Sequence, residues 1–266
     1  MQRYHSHQAT HQVSNVVYNG DCLSIMRSLP DGCVNLIVTD PPFQTGNVQR
    51  DSHSGVSYND DRDDYIEWMQ QCMVECRRIL TPDGSIYLHL GEKISYKVRY
   101  LVMDRVFGEN NWINTLIWSF DFGGRNIKKC FPRKHDTILL YVKDPKNYVF
   151  NYNDVERLPY IAPGLAGAEK AALGKFPTDV LWCTIVPTGG HERLHYPNQK
   201  PIKVVEQLVK ASSSVGDTVL DFCAGSGTTG DAALRNGRSF ILIDNKQEAI
   251  DTMRVRFAST PNVEWL

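Results

Sequence analysis

Residues 218–230, TVLDFCAGSGTTG, run from an apolar strand into a turn bearing Gly225, Gly227 and Gly230, and on into helix-forming residues. A G-x-G-x-x-G turn between a buried strand and a helix belongs to open α/β sheets, whose ligands lie at the carboxyl ends of the strands. No other stretch constrains the fold as much. It leaves the ligand open, because a dinucleotide, a phosphate or another group could rest against the same turn.

The rest of the chain keeps the same rhythm. Apolar runs at 16–18, 34–39, 85–90, 114–120, 137–142, 218–222 and 239–244 read as strands. Helical spacing appears at 22–29, at 63–80 (Ile66, Met69, Met73, Cys76, Leu80), around 94–107 and at 202–212, and a further helix starts near Thr228. Pro82, Asp83 and Gly84 are expected to stop the helix at 63–80. This alternation predicts an α/β fold with a doubly wound, mostly parallel, Rossmann-like sheet, and the consecutive strands at 114–142 predict an antiparallel hairpin at one edge. Residues 144–198, rich in Pro, Gly and aromatics without a clean period, read as an inserted recognition region between a half at 1–143 and a half at 199–266.

Bulk properties exclude several classes. The 266 residues are 42% hydrophobic and 22% charged, as in an ordinary globular protein, and no apolar run approaches a membrane span. The polar opening MQRYHSHQATHQ is not read as a secretory signal, so a soluble cytoplasmic protein is expected. Seven cysteines without a C-x-x-C pair read as reduced thiols, and His5, His7 and His11 as tail residues rather than metal ligands. No metal is expected. A net charge of −1 is low for a nucleic-acid partner, but Arg125, Lys128, Lys129, Arg133 and Lys134 cluster in 123–135, and Lys93, Lys97 and Arg99 in 92–99. A neutral whole with a basic face is compatible with DNA.

The second constraining stretch is LIVTDPPF, 36–43, a buried strand that ends in Asp40, Pro41, Pro42 and Phe43. Two prolines stop the sheet and fix a rigid exit at the strand's carboxyl end, the ligand side of such a sheet. With the glycine turn, this stretch resembles the amino-group DNA methyltransferases that use S-adenosylmethionine. The resemblance covers most of the chain. NGDCLSIMRSLPDGCVNLIVTDPPF (19–43) resembles the approach to the catalytic Asp-Pro-Pro-aromatic motif, and ECRRILTPDGSIYLHLGEK (75–93) and FPRKHDTILLYVK (131–143) resemble the strands that follow. YPNQKPIKVVEQLV (196–209) is similar to the segment before the cofactor turn, and 216–234 to the turn itself. The catalytic motif precedes the cofactor motif, which is the permuted order of the β group. Asn198 in place of Thr, Asp136 in place of Glu and Phe43 in place of Tyr depart from the pattern without removing a required chemistry.

The resemblance implies that the glycine turn holds S-adenosylmethionine, and the charge pattern agrees. A dinucleotide's pyrophosphate would be repelled by an acid just before the turn. Asp221 stands there and suits the cationic α-amino group of a methionine moiety. Gly225 and Gly227 are expected to let the backbone approach the cofactor, and Asp244 to accept from ribose hydroxyls. The implied cofactor set also includes Asp21 at the adenine, Cys22, Asp40, Pro41, Phe222, Cys223, Ala224, Ser226, Thr228, Thr229 and Asn245, with Lys200 near the cofactor carboxylate. Asp40 and the Pro41 carbonyl would accept the hydrogens of a base's exocyclic amine and Phe43 would stack on the base, with Pro42 stiffening the turn. The base must be turned out of the duplex, and the polar loop 44–64 is expected to close over it. Trp118 and Phe131 are candidates for the base pocket, though aromatics near strands are more often core.

Arg50, Arg125, Lys128, Lys129, Arg133, Lys134 and Arg193 are the candidate DNA contacts, with Arg157, Lys175, His191 and His195 in the recognition region. Double-stranded DNA is the expected partner, with a second copy of the chain and a cognate restriction endonuclease as further ones. Asp at the head of the catalytic motif favours adenine N6 over cytosine N4 within the family. A nicotinamide-dependent dehydrogenase and a catalytically silent DNA-binding subunit are the readings from other classes. The first conflicts with Asp221 and with 36–43, and the second would require a damaged site.

Overall fold

A computed structural model describes residues 15–122 and 128–266. In chain order the first half contains β1 (Asn15–Asn19), α1 (Cys22–Ser28), β2 (Val34–Thr39), β3 (Val48–Arg50), β4 (Ser57–Asn59), α2 (Tyr65–Ile79), β5 (Leu80–Leu90) and α3 (Glu92–Val98). A widened turn at Arg99–Met103 joins α3 to α4 (Asp104–Val106), and β6 (Trp112–Ser119) and β7 (His135–Val142) follow. Then come α5 (Pro163–Ala166), α6 (Ala168–Leu173), β8 (Val180–Trp182), α7 (Ile202–Ser212), β9 (Thr218–Asp221), α8 (Thr228–Arg235), β10 (Ser239–Asp244), α9 (Gln247–Arg256) and β11 (Val263–Trp265).

The main sheet runs β11-β1-β10-β9-β2-β5-β7-β6-β8. Only β7 opposes its neighbours, pairing antiparallel with β5 and β6, while the remaining pairs are parallel. The predicted doubly wound sheet is therefore present. Its central strands β2, β9 and β10 are buried on both faces, which is why they read as continuous apolar runs. Along β2 the side chains alternate between two cores. Ile37 belongs to one core with Met26, Met69 and Met73 from α1 and α2, and Leu36 and Val38 to the other, with Val205 and Leu208 from α7.

Two boundaries differ from the expectation. The predicted edge hairpin exists, but β8 pairs parallel with β6 outside it, so a strand from the 144–198 region forms the edge. Pro82-Asp83-Gly84 do not separate helix from strand, because β5 already starts at Leu80. The extra residues are absorbed where the β2–β5 register shifts, between the Val34–Leu80 and Leu36–Ser85 pairs. The small hairpin of β3 and β4 and the elements α5, α6, α9 and β11 carried no clear period in the sequence.

The order of strands sets the site. β9 lies between β10 and β2, and β1 lies beyond β10. In register, Asn19 pairs with Asp244, Leu242 with Asp221, Ile37 with Leu220, and Thr39 with Leu88. The carboxyl ends of β1, β10, β9, β2 and β5 thus form one rim, and the residues that leave those ends are neighbours in space.

Candidate active site

A cavity of about 400 Å³ follows this rim. Asp21, Asp244, Asp221 and Asp40, each at or just past the end of a different strand, all line it, so the glycine turn and the Asp-Pro-Pro-Phe turn share one crevice.

On the glycine-turn side, Asp221 is 4% exposed. It accepts from the Thr229 hydroxyl at 2.7 Å and the Cys223 amide at 3.1 Å. Burial still dominates and pushes its carboxyl up to about 7. Asp244 accepts the amides of Gly225 and Lys246, each at 2.9 Å, and burial raises its carboxyl too. Asp21 caps α1, accepting the Ser24 amide at 2.9 Å and hydroxyl at 2.8 Å. Cys22, Asn245 and every residue from Phe222 to Thr229 except Gly227 line the cavity.

Gly227 corrects an expectation. Its φ is +74°, and a Cβ there would lie 2.8 Å from Met253 Cγ, so it turns towards α9 rather than the cavity. Gly225, at φ +51°, faces the Tyr196 ring, with 3.1 Å available to a Cβ. The glycines are required by the αL turn and by close packing as much as by a ligand.

On the other side, the catalytic turn is pinned. Asp60 accepts the amides of Phe43 (2.8 Å) and Thr45 (3.1 Å), and the Tyr65 hydroxyl donates to the Pro42 carbonyl at 2.7 Å. Pro42 lines the cavity, while Pro41 is buried behind it. Phe43 packs on the His89 ring at 5.5 Å, outside the cavity wall. Asp40 forms an ion pair with Lys200 through Oδ2, and its Oδ1 is buried without a hydrogen-bond partner among the described residues. Lys200, expected near a cofactor carboxylate, also lines the cavity, but its ammonium rests on Asp40 and lies 5.2 Å from the Phe43 ring centroid.

The loop 44–64 is not a free flap. Its β3–β4 hairpin is fastened to 193–198: Ser54 donates to the His195 carbonyl at 2.6 Å, and the Asn198 amide to Gln49 and Tyr58, each at 3.1 Å. Asp51 and Arg193 form an ion pair with 4% and 16% of their side chains exposed. Burial works against the charge on Asp51, but the Ser54 and His53 amides and the Arg193 guanidinium outweigh it and hold the carboxyl far below its ordinary range. The strapped hairpin contributes Tyr58, Asn59, Asp61 and Arg62 to the cavity wall.

The expected DNA contacts scatter. Lys128, Lys129 and Arg50 are exposed, and Arg133 lies 3.6 Å from Glu92. Lys134 is half-buried, and Arg125 falls outside the described residues, as do His5, His7 and His11. Arg193 is not presented to a partner, because Asp51 occupies its guanidinium. In the 144–198 region, Arg157 covers the Phe176 ring at 4.0 Å and His195 stacks on His53 at 4.1 Å. Trp118 is core, donating to the Cys183 carbonyl at 2.8 Å, and Phe131 is 97% exposed, so neither lines the cavity. Among the described residues no His, Cys, Asp or Glu group could hold a metal, and no helix is long and apolar enough to cross a membrane.

Sequence reasoning missed His89, Tyr58 and Tyr196 in this wall. Only His89 carried a signal, as the one polar ring in the apolar strand SIYLHL.

A family model described as DNA methylase matches residues 34–254, a span containing both turns. The chain belongs to the DNA methylase family. It is 31% identical over 247 residues to the Type II methyltransferase M.HpaI of Haemophilus parainfluenzae, covering 91% of this chain and 74% of that one. It is 29% identical over 253 residues to the DNA adenine methyltransferase YhdJ of Escherichia coli K12, covering 89% and 80%. Among solved structures, the cytosine-N4-specific PvuII DNA methyltransferase shares the fold of the methylase at TM-score 0.70 and 20% identity, over 92% of this chain and 86% of that one. The M1.HpyAVI complex with S-adenosylmethionine does so at 0.63 and 21%, over 91% and 98%. The expected fold and the methyl transfer to DNA both stand, and the dehydrogenase reading falls.

Proposed function

We propose that this methylase transfers a methyl group from S-adenosylmethionine to the N6 amine of an adenine turned out of duplex DNA. The observation that carries the reading is the shared crevice, in which Asp40 and Asp221 stand at the ends of the adjacent strands β2 and β9. Asp at the head of the catalytic motif and the 29% identity to a DNA adenine methyltransferase favour adenine. Both turns are intact, which argues against a silent subunit.

The residues present fit the cofactor. Asp221 is a buried carboxyl held by a hydroxyl and an amide and, among the described residues, paired with no cation, a suitable seat for the methionine ammonium. Asp244 would take the ribose hydroxyls and Asp21 the adenine. The cofactor supplies an activated methyl group. Asp40 and the Pro41 carbonyl orient the amine by accepting its hydrogens, which draws the lone pair out of the ring and stabilises the positive charge that develops on nitrogen. Transfer would form the N–C bond at the expense of the cofactor's C–S bond, and the nitrogen would give up one proton, with Asp40 as its acceptor. Phe43 would stack on the base, worth about 1–3 kcal/mol.

Sequence reading is assigned to 144–198 with the basic stretch 123–135, supported by the exposed Lys128 and Lys129 and by the edge strand that the region adds beside β6. The Type II naming of M.HpaI supports a companion restriction endonuclease, and pairing of like chains remains part of the proposal, as does action in a prokaryotic or phage cytoplasm. The test is expression in methylation-free cells, with mass spectrometry of the digested DNA. N6-methyladenine is expected; N4-methylcytosine would transfer the mechanism to the other base, and unmodified DNA would overturn the reading.

A further inference from the structure

Beside Asp40 lies a group that the methyl-transfer reading leaves unused. His89, the penultimate residue of β5, is 6% exposed. Its ring is held edge-on by Trp118, with centroids 5.5 Å apart, and tilted against Phe43, also at 5.5 Å. Nε2 lies 3.2 Å from Asp136 Oδ2, and Nδ1 lies 3.7 Å from Asp40 Oδ1. The imidazole therefore stands between two carboxylates, one on β7 and one on the catalytic turn.

Burial opposes a charge on Asp136, but the bond from His89 and the charges of His89, Lys200 and His135 hold its carboxyl below its ordinary value. An ionised Asp136 only accepts, so Nε2 carries a hydrogen. In a neutral imidazole Nδ1 would then be a bare lone pair facing Asp40 Oδ1, a buried oxygen with no hydrogen-bond partner among the described residues. Such an orphan calls for an explanation. The target amine would take one acceptor position of this oxygen, and one further proton, on Nδ1, would supply a donor to the position that faces the ring. It also balances the cluster: Asp40 and Asp136 are negative, Lys200 and the imidazolium positive.

We propose that His89 works in its doubly protonated form as the positioning residue of the methyl-transfer site, bridging Asp136 to Asp40 and aiming the free oxygen of Asp40 at the target amine. The inference rests on the role of Asp40 proposed above. The 3.7 Å gap closes to a hydrogen bond in the reacting complex, as catalytic contacts commonly tighten on substrate binding. Loss of the Nδ1 proton sets lone pair against lone pair and turns the carboxylate away. The charged groups around the ring and its two carboxylates are Asp40, Asp136, His135 and Lys200.

The test is single-turnover methylation of duplex DNA across pH, together with nitrogen-15 NMR of the histidine rings in the free protein. His89 is assigned by the resonance lost in His89→Gln. In the wild type the rate is expected to fall on the alkaline side, and both His89 nitrogens to be protonated at the pH of fastest methylation. His89→Gln should slow the chemical step about 10–100-fold, erase the alkaline fall, and leave S-adenosylhomocysteine and DNA affinities within about threefold. Asp136→Asn keeps the histidine but removes the ionised acceptor at Nε2, and should slow the chemical step about tenfold at the optimum. A His89→Gln enzyme with wild-type rate and pH curve, an Asp136→Asn enzyme with wild-type rate, or a His89 ring carrying a single proton at the optimum would each overturn the inference. Asp40→Ala separates the two levels: if it stays active, the proposed function fails, and if it is dead while His89→Gln is unaffected, only the positioning role fails.

Discussion

The strand-end crevice and the basic outer rim teach opposite lessons. In the crevice every acidic side chain has fixed neighbours: Asp21 caps a helix, Asp244 holds two amides, Asp221 holds a hydroxyl and an amide, Asp61 holds the Gly46 amide, and Asp40 meets Lys200. Its geometry is over-determined before any ligand arrives, as electrostatic catalysis requires. On the rim, Lys128, Lys129, Phe131 and Trp182 point into solvent. Chemistry is built by residues that the fold itself constrains, whereas sequence recognition is left to residues constrained only by the partner. The first kind can be reasoned out from one chain, and the second cannot.

Because each group in the crevice is fixed by its neighbours, single changes there should be severe. Asp40→Ala should lower methylation by about 10²–10³-fold or more while S-adenosylhomocysteine still raises the melting temperature. Radiolabelled methyl transfer and thermal shift measure the two arms, and retained activity would contradict the catalytic assignment.

The seam between the β3–β4 hairpin and 193–198 should also be costly to cut. Arg193→Leu leaves Asp51 buried without its guanidinium and should weaken the hairpin by about 3 kcal/mol. Hydrogen exchange at 48–59 reads this directly, and unchanged protection would make the hairpin independent of the seam. Because the Asp51 carboxyl is depressed in the folded protein, its contribution is full above about pH 4 and is lost as pH falls below that.

Cofactor affinity should titrate with Asp221. Its raised carboxyl favours the fold in acid, and this advantage is lost as pH climbs from about 4 to about 7. An ammonium needs the ionised form, so S-adenosylhomocysteine should bind about tenfold more weakly per unit below pH 7 and release a proton on binding. Calorimetry in two buffers of different ionisation enthalpy checks this, and Asp221→Asn should flatten the profile.

The rim should yield the smallest effect. Lys128→Ala with Lys129→Ala should reduce the salt dependence of DNA affinity by about 1–2 in log–log slope and leave turnover at saturating DNA unchanged. A loss of maximal rate would move these lysines from the rim into the chemistry.

Strand–helix alternation, the two turns and their order along the chain were legible because each is a local pattern, written in the residues that perform it. The stretches 34–39, 202–212 and 239–244 form the elements their periods predict, and Asp40 and Asp221 announce themselves through the turn residues beside them. Only the tertiary structure decided that β2 and β9 are neighbours, that Gly227 turns to α9, that Arg193 belongs to Asp51, and that His89 stands between Asp40 and Asp136. The physical reason is common to all four. A side chain's charge partner or packing neighbour is chosen by proximity in space, and here the partners come from distant parts of the chain, so no local period records them.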